Sequence, residues 1–171
     1  QWRKDWGKWF YLRSYFQIYL LQGMLLYLIA IPIFIINQYT GAEIGLLDMI
    51  GLMIWLIGFG FEAIGDAQLK NFINDPDNKG KLMQSGLWQY TRHPNYFGEI
   101  MMWWGIAIVS FHSSTWLWSF VGASTITLFL CFVSGVPLAE KSLSNKKGWK
   151  LYKRTTSALI PLPLKNYKSI K

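Results

Sequence analysis

The sequence is poor in the residues on which most soluble-enzyme chemistry rests. It has one cysteine, Cys131, so no intrachain disulfide can form. It has two histidines, His93 and His112, far apart in the chain, and with a single thiol they make no metal-ligand constellation. No G-x-G-x-x-G or P-loop pattern occurs, so a nucleotide would have to sit in a helical cavity rather than a Rossmann crevice. Internal repeats, low-complexity segments and a secretory signal peptide are also absent. Acidic side chains are scarce, nine Asp and Glu against seventeen Lys and Arg.

Apolar and aromatic residues are what the chain has in plenty. Hydrophobic types make up 52% of 171 residues, with ten tryptophans and a mean hydropathy of +0.20, high for a soluble domain of that length. A spanning helix needs roughly 20 mostly apolar residues. Four stretches approach that, Phe16–Ile36, Leu46–Gly65, Phe97–Phe111 and Trp116–Val136. The third is short, about 22 Å at ~1.5 Å per residue, and is expected to dip into or thin a bilayer. A soluble helical core would carry a charged face, and the second and fourth runs carry almost none. The expected architecture is all-α: a single polytopic transmembrane helix bundle over 1–171, with four spans and a C-terminal cytoplasmic amphipathic helix.

The formal charge of +8 would point to nucleic acid in a soluble protein, but its distribution says otherwise. Arg3, Lys4, Lys8 and Arg13 precede the first run, and Lys70, Lys79, Lys81 and Arg92 lie between the second and third. The remaining nine, Lys141 to Lys171, follow the fourth, whereas Asn37–Gly45 and His112–Thr115 contain none. This is the positive-inside pattern: an integral, multi-pass protein with both termini and the 66–96 loop cytoplasmic. The bilayer is then the partner that explains the basic pI, and nucleic acid is not. The opening Trp2 to Phe10 reads as an interfacial belt, and the start at Gln1 suggests that N-terminal helices precede it.

Within the runs, Pro32 frees a backbone carbonyl and is placed to kink the first helix. Gly51, Gly58, Gly60 and Gly65 suit close helix packing, with ligand contact as the alternative. Pro76 is expected to end the second helix, and the polar 74–80 segment to turn. Ala139–Arg154 reads as one basic amphipathic helix, followed by an extended end through Pro163.

Glu62, Asp66, Glu99 and Glu140 fall at or near cytoplasmic helix ends, where each could cap amides or pair with a cation. Glu62 and Asp66 share a helix face, and four acids converging there would repel one another unless used. In Arg92-His93-Pro94-Asn95-Tyr96, Pro94 suits the first turn of the third helix. Arg92 can fork onto a phosphate or carboxylate, and His93 and Tyr96 can donate hydrogen bonds or stack. An interfacial anchor is the alternative reading of that run.

The stretch from Gly86 to Glu99, Gly-Leu-Trp-Gln-Tyr-Thr-Arg-His-Pro-Asn-Tyr-Phe-Gly-Glu, resembles the signature of bacterial membrane proteins grouped with steroid 5-alpha-reductases. Sterol C14-reductases and isoprenylcysteine carboxyl methyltransferases share the superfamily. Phe61 to Lys70, Ser134 to Pro137 with Glu140, and Tyr152 to Pro161 extend the resemblance over nearly the whole chain. It implies an NAD(P)H-dependent reductase of an activated C=C bond in a lipophilic, steroid- or lipid-like substrate. NADPH would lie on Glu62, Asp66, Arg92, His93, Asn95, Tyr96, Glu140, Tyr152 and Arg154, with Arg92 and His93 at the mouth and Tyr96 or Glu99 as catalytic proton donor. Two alternatives stand beside it: a lipid-directed methyltransferase using S-adenosylmethionine, and a non-catalytic subunit with partner subunits in a membrane complex. The sequence departs from several reductases in carrying Pro137, Leu138 and Ala139 after the last run, where they have arginine, aspartate or histidine. The resemblance also places further catalytic residues of steroid reductases in an N-terminal half outside this chain.

Overall fold

The computed structural model describes residues 2–38 and 43–163. The regular secondary structure among the described residues is all helical, with a single isolated bridge between Thr91 and Ser157. The helices are α1 (Trp2–Trp6), α2 (Phe10–Ser14), α3 (Leu21–Gln38), α4 (Leu46–Asn74), α5 (Pro94–Val109), α6 (Ser119–Leu128), α7 (Val136–Leu143) and α8 (Trp149–Thr155). A 3-10 turn at Gly7–Trp9 and a π-helical stretch at Tyr15–Leu20 join the first three into a near-continuous rod. Three segments are long and apolar enough to cross a membrane: Arg3–Gln38, Leu46–Asn74 and Trp116–Leu143. The expected third crossing falls on α5, whose 16 residues give about 24 Å, short of a full hydrocarbon core.

Close backbone approach between antiparallel α4 and α5 organises the bundle. Glycines recur every seventh residue on both helices, and they meet in register. A Cβ on Gly51 or Gly105 would collide with the other's carbonyl oxygen, and Gly58 and Gly98 stand in the same relation. Gly65 continues the line, facing the Pro94 ring. Gly60, by contrast, has nothing within 4 Å of a Cβ position and takes no part. Small residues are what allow such contact between apolar helices in a bilayer, where packing rather than water exclusion drives association. Gly58→Leu is therefore expected to lower unfolding free energy by about 1–3 kcal/mol, as overpacking does. Thermal unfolding in detergent measures this, and Gly60→Leu, expected to be near neutral, is its control.

Elsewhere the packing follows local sequence signals. Gly122 lets α6 lie against α3, where its Cβ would meet the Ile29 carbonyl and the Pro32 ring. Gly45 donates its N–H to Asp48 at 2.8 Å, and His112 Nε2 lies 3.0 Å from the same carboxylate, closing the end that carries no Lys or Arg. Outward faces are apolar: Met53, Leu56 and Phe59 of α4 are about half exposed, as suits contact with lipid chains. At the basic end α4 stops at Asn74, two residues before Pro76, and Asp75 accepts from the Asp77 N–H and the Asn78 amide, turning the chain.

The single helix expected over Ala139–Arg154 is instead two. α7 ends at Leu143, the chain turns through Ser144–Lys147, and α8 begins after Gly148, which adopts φ +86°. That left-handed conformation costs glycine little and interrupts the helix. The break sets α8 on its own course, with Trp149 and Tyr152 buried against Leu82. Residues 39–42 of the connection that lacks Lys and Arg, and Lys165, Lys168 and Lys171 of the basic tail, lie outside the described residues.

Candidate functional site

The connection between α4 and α5 is fixed to the bundle before it reaches the Arg92 run. Gly86, at φ +62°, brings the chain against Gln68, whose side-chain oxygen accepts from the Leu87 N–H at 2.9 Å. Trp88 is buried and donates its indole N–H to the Gly65 carbonyl at 3.0 Å. The Trp88 carbonyl in turn accepts from the Tyr152 hydroxyl at 2.6 Å, which ties α8 to the same loop. Burial pushes the Tyr152 hydroxyl above its ordinary value, so it stays protonated and donating.

A strap formed by residues 156–162 runs beside Tyr90–Arg92. The Arg92 N–H donates to the Ser157 carbonyl at 2.9 Å, and the Leu162 N–H to the Tyr90 carbonyl at 3.0 Å. Thr91, wholly buried, donates its hydroxyl to the carbonyls of Leu159 at 2.8 Å and Ala158 at 3.2 Å. The Arg92 guanidinium satisfies the rest: Nε and Nη2 donate to one Glu140 oxygen at 2.9 and 2.5 Å, and Nη1 donates to the carbonyls of Lys153, at 3.0 Å, and Thr156. Lys153 Nζ lies 2.8 Å from the other Glu140 oxygen. Arg92 and Glu140 are thus committed to each other and to backbone.

His93 occupies the N-cap position of α5, with Pro94 at its first turn as the sequence indicates. The imidazole is 3% exposed and stacks on Tyr96, ring centres 5.2 Å apart and planes 12° from parallel. Burial holds it well below its ordinary range, to about 4, with Arg92 acting in the same direction and Glu140 opposing. Among the described residues its Nε2 has no hydrogen-bond partner, standing 3.8 Å from Glu140. A neutral imidazole with an uncommitted ring nitrogen is a recognition group.

The remaining candidates meet on the α4–α5 face. Asn95 donates its amide N–H to Asp66 at 2.9 Å, while its carbonyl oxygen is buried and has no partner among the described residues. One Glu62 oxygen is buried without a partner as well. Glu99 lies one turn beyond Asn95, and Tyr96 packs against the apolar group of Ile100, Ile126 and Leu130. Unpaired buried acceptors await donors, since leaving them so costs about 1–3 kcal/mol each.

A cavity of about 250 Å³ opens beside this face. Arg92, His93, Asn95, Tyr96 and Tyr152 line it, with an apolar wall that includes Leu69 and Phe72. Glu62, Asp66, Glu99, Glu140 and Arg154 are not among its lining residues. Arg154 lies on a second recess with Arg92, Thr155 and Ser157, two positions from the inward Tyr152 on a helix. The structure thus joins the Arg92 run, Asp66 and Tyr152 beside the cavity, and places Arg154 on a second recess that Arg92 also lines. Sequence reading passed over Trp88, Thr91, Lys81, Lys146 and Phe72. A tryptophan amid a polar loop was the available sign for the first; the others depend on contacts from distant segments.

The chain belongs to the family described as "Protein of unknown function (DUF1295)", whose pattern matches residues 1–156. It is 37% identical over 87 residues to the human 3-oxo-5-alpha-steroid 4-dehydrogenase 1, covering 51% of this chain and 31% of that protein. It is 35% identical over 68 residues to a steroid 5-alpha-reductase of Gossypium hirsutum, covering 40% of this chain and 24% of that one. It is 30% identical over 91 residues to a very-long-chain enoyl-CoA reductase of Dictyostelium discoideum, covering 53% and 30%. The chain thus spans about a third or less of these relatives' lengths. No solved structure matches it significantly.

Proposed function

We propose that the chain is the cofactor-binding part of a membrane-embedded, NADPH-dependent reductase of an activated C=C bond in a lipophilic substrate. In this reading four apolar helices cross or enter the bilayer, α5 as the short one. The basic end, with both termini and the 66–96 loop, faces the cytoplasm, and α7 and α8 lie along that surface. The observation that carries the reading is the meeting of Asp66, Asn95 and Tyr96 beside a cavity, with buried acceptors left open on Asn95 and Glu62. A carboxamide-bearing ring supplies the N–H donors that such acceptors lack. The names of the relatives, a steroid 4-dehydrogenase, a steroid 5-alpha-reductase and an enoyl-CoA reductase, agree with it.

When bound, NADPH would supply a hydride to one carbon of the double bond. The residues of this chain would do the rest. Asn95, fixed by Asp66, and Glu62 would orient the reacting ring. Tyr96, held flat by His93, or Glu99 one turn away would pass a proton to the other carbon. Apolar helix faces around Tyr96 would admit the substrate from the bilayer and exclude water.

Thermal unfolding of the detergent-solubilised protein with NADPH, NADH or S-adenosylhomocysteine tests this. At ligand a hundredfold above Kd, NADPH is expected to add about 2.7 kcal/mol of stability. Asn95→Leu is expected to weaken that effect at least tenfold in ligand concentration. Stabilisation by S-adenosylhomocysteine alone would favour a methyltransferase. Stabilisation by none of the three, with stoichiometric co-purification of another chain, would favour a subunit role.

A further inference from the structure

Resting on the reductase reading, we infer that the cavity beside His93 takes the phosphorylated adenosine end of the dinucleotide, and that Lys81 and Lys146 select NADPH over NADH there.

Charge is partitioned around the site. On one side stand Glu62, Asp66 and Glu99, three carboxylates with no cation paired to them among the described residues. A phosphate placed there would meet repulsion from each that is ionised. On the other side the cavity carries Arg92, Lys81 and Lys146 in its lining. Arg92 is spent on Glu140 and two carbonyls. Lys153, on the neighbouring helix, is likewise held by Glu140. Lys81 and Lys146 take part in no ion pair among the described residues. They are nonetheless brought together, since Lys146 Nζ donates to the Lys81 carbonyl at 3.0 Å. Both residues line the same cavity, so an anion there would find two cations with no carboxylate partner of their own among the described residues.

Size decides how much of the ligand enters. Sites for whole drug-sized ligands run to about 300–1,000 Å³, so a 250 Å³ cavity holds one end of a dinucleotide, not both. Its interior suits a flat heterocycle: Phe72, Leu82 and Met83 form apolar walls, and the buried His93 offers its unpartnered Nε2. Asn95 and Tyr96 line the cavity while Asn95 also binds Asp66, so the cavity leads directly to the carboxylate side. The ligand then lies with its 2′-phosphate at the lysines and its nicotinamide against Asn95. A phosphate monoester, with up to two charges, gains more from a pair of ammonium groups than the diester oxygens shared by both dinucleotides. The 2′-phosphate is therefore the group these lysines recognise.

The test is equilibrium binding to the full chain in detergent, with NADPH, NADH and adenosine 2′,5′-bisphosphate as probes, for wild type and Lys81→Met/Lys146→Met. Both lysines sit outside the buried core, and size-exclusion elution and helical circular dichroism check that the variant is folded. The double variant is expected to bind NADPH at least tenfold more weakly, bind NADH within twofold of wild type, and lose the bisphosphate. Lys81→Arg/Lys146→Arg is expected to retain the preference for NADPH. Unchanged NADPH affinity in a folded double variant overturns the inference and leaves the reductase reading standing. Equal losses for NADPH and NADH also overturn it, because the lysines would then hold the shared diphosphate. Failure of wild type to bind either dinucleotide removes both the reductase reading and this inference.

Discussion

Arg92→Ala is expected to be among the most damaging single changes in the chain, costing about 3–5 kcal/mol of unfolding free energy, the magnitude for removing one partner of a buried ion pair. The guanidinium is 7% exposed and Glu140 is 12% exposed, so water does little to replace the lost partner. Truncation leaves Glu140 with Lys153 alone and orphans the carbonyls of Lys153 and Thr156 at the end of α8. The strap should loosen at its start, because the guanidinium's bond to the Thr156 carbonyl is lost while the backbone bonds and those of Thr91 remain. Arg92→Lys is not a conservative escape: one ammonium cannot reproduce a fork that serves a carboxylate and two carbonyls. Thermal unfolding in detergent reads the loss. Limited proteolysis should find new cleavage near residues 155–163 in the variant; a protected strap would contradict this account.

The second large effect is acid sensitivity centred on His93. Its imidazole titrates near 4 when folded against an ordinary value of 6.5, so between those values the unfolded chain binds a proton that the folded one refuses. Stability therefore rises with pH across this window and falls as pH drops from about 6.5 towards 4, a change of about 3 kcal/mol in total. Above pH 6.5 both states are neutral at this ring, and His93 contributes no slope. Unfolding measured from pH 7.5 to 4.5 should show the decline in wild type and a shallower one in His93→Asn, the difference isolating this ring from the carboxylates that titrate nearby. Equal slopes would show that His93 is not the group responsible.

Some of this was legible in the sequence, for reasons that lie in local chemistry. Pro94 after His93 marked the start of α5, and Pro76 marked the end of α4, because proline restricts its own and the preceding backbone wherever it occurs. Glycines every seventh residue signalled close packing, though nothing local separated the three that pack from Gly60. The Arg92 run was visible as a site, and of the two groups its guanidinium could fork onto, phosphate or carboxylate, the structure supplies the carboxylate. Its partner Glu140 is 48 residues away, and only the folded chain brings them together. The division of α7 from α8 turned on Gly148 adopting a positive φ, which a basic, amphipathic stretch conceals. Arg154 and Tyr152 looked equivalent as neighbours, but two steps on a helix turn side chains about 200° apart.

The glycine seam between α4 and α5 also acts as a ruler. Its contacts recur every two turns in antiparallel register, so inserting one residue in either helix would rotate everything beyond it by about 100°. Each glycine past that point would give way to a side chain aimed at the opposing backbone. Changes in chain length can therefore be absorbed in the loops at either end and nowhere between, which keeps Asp66 and Asn95 at a fixed separation however those loops vary.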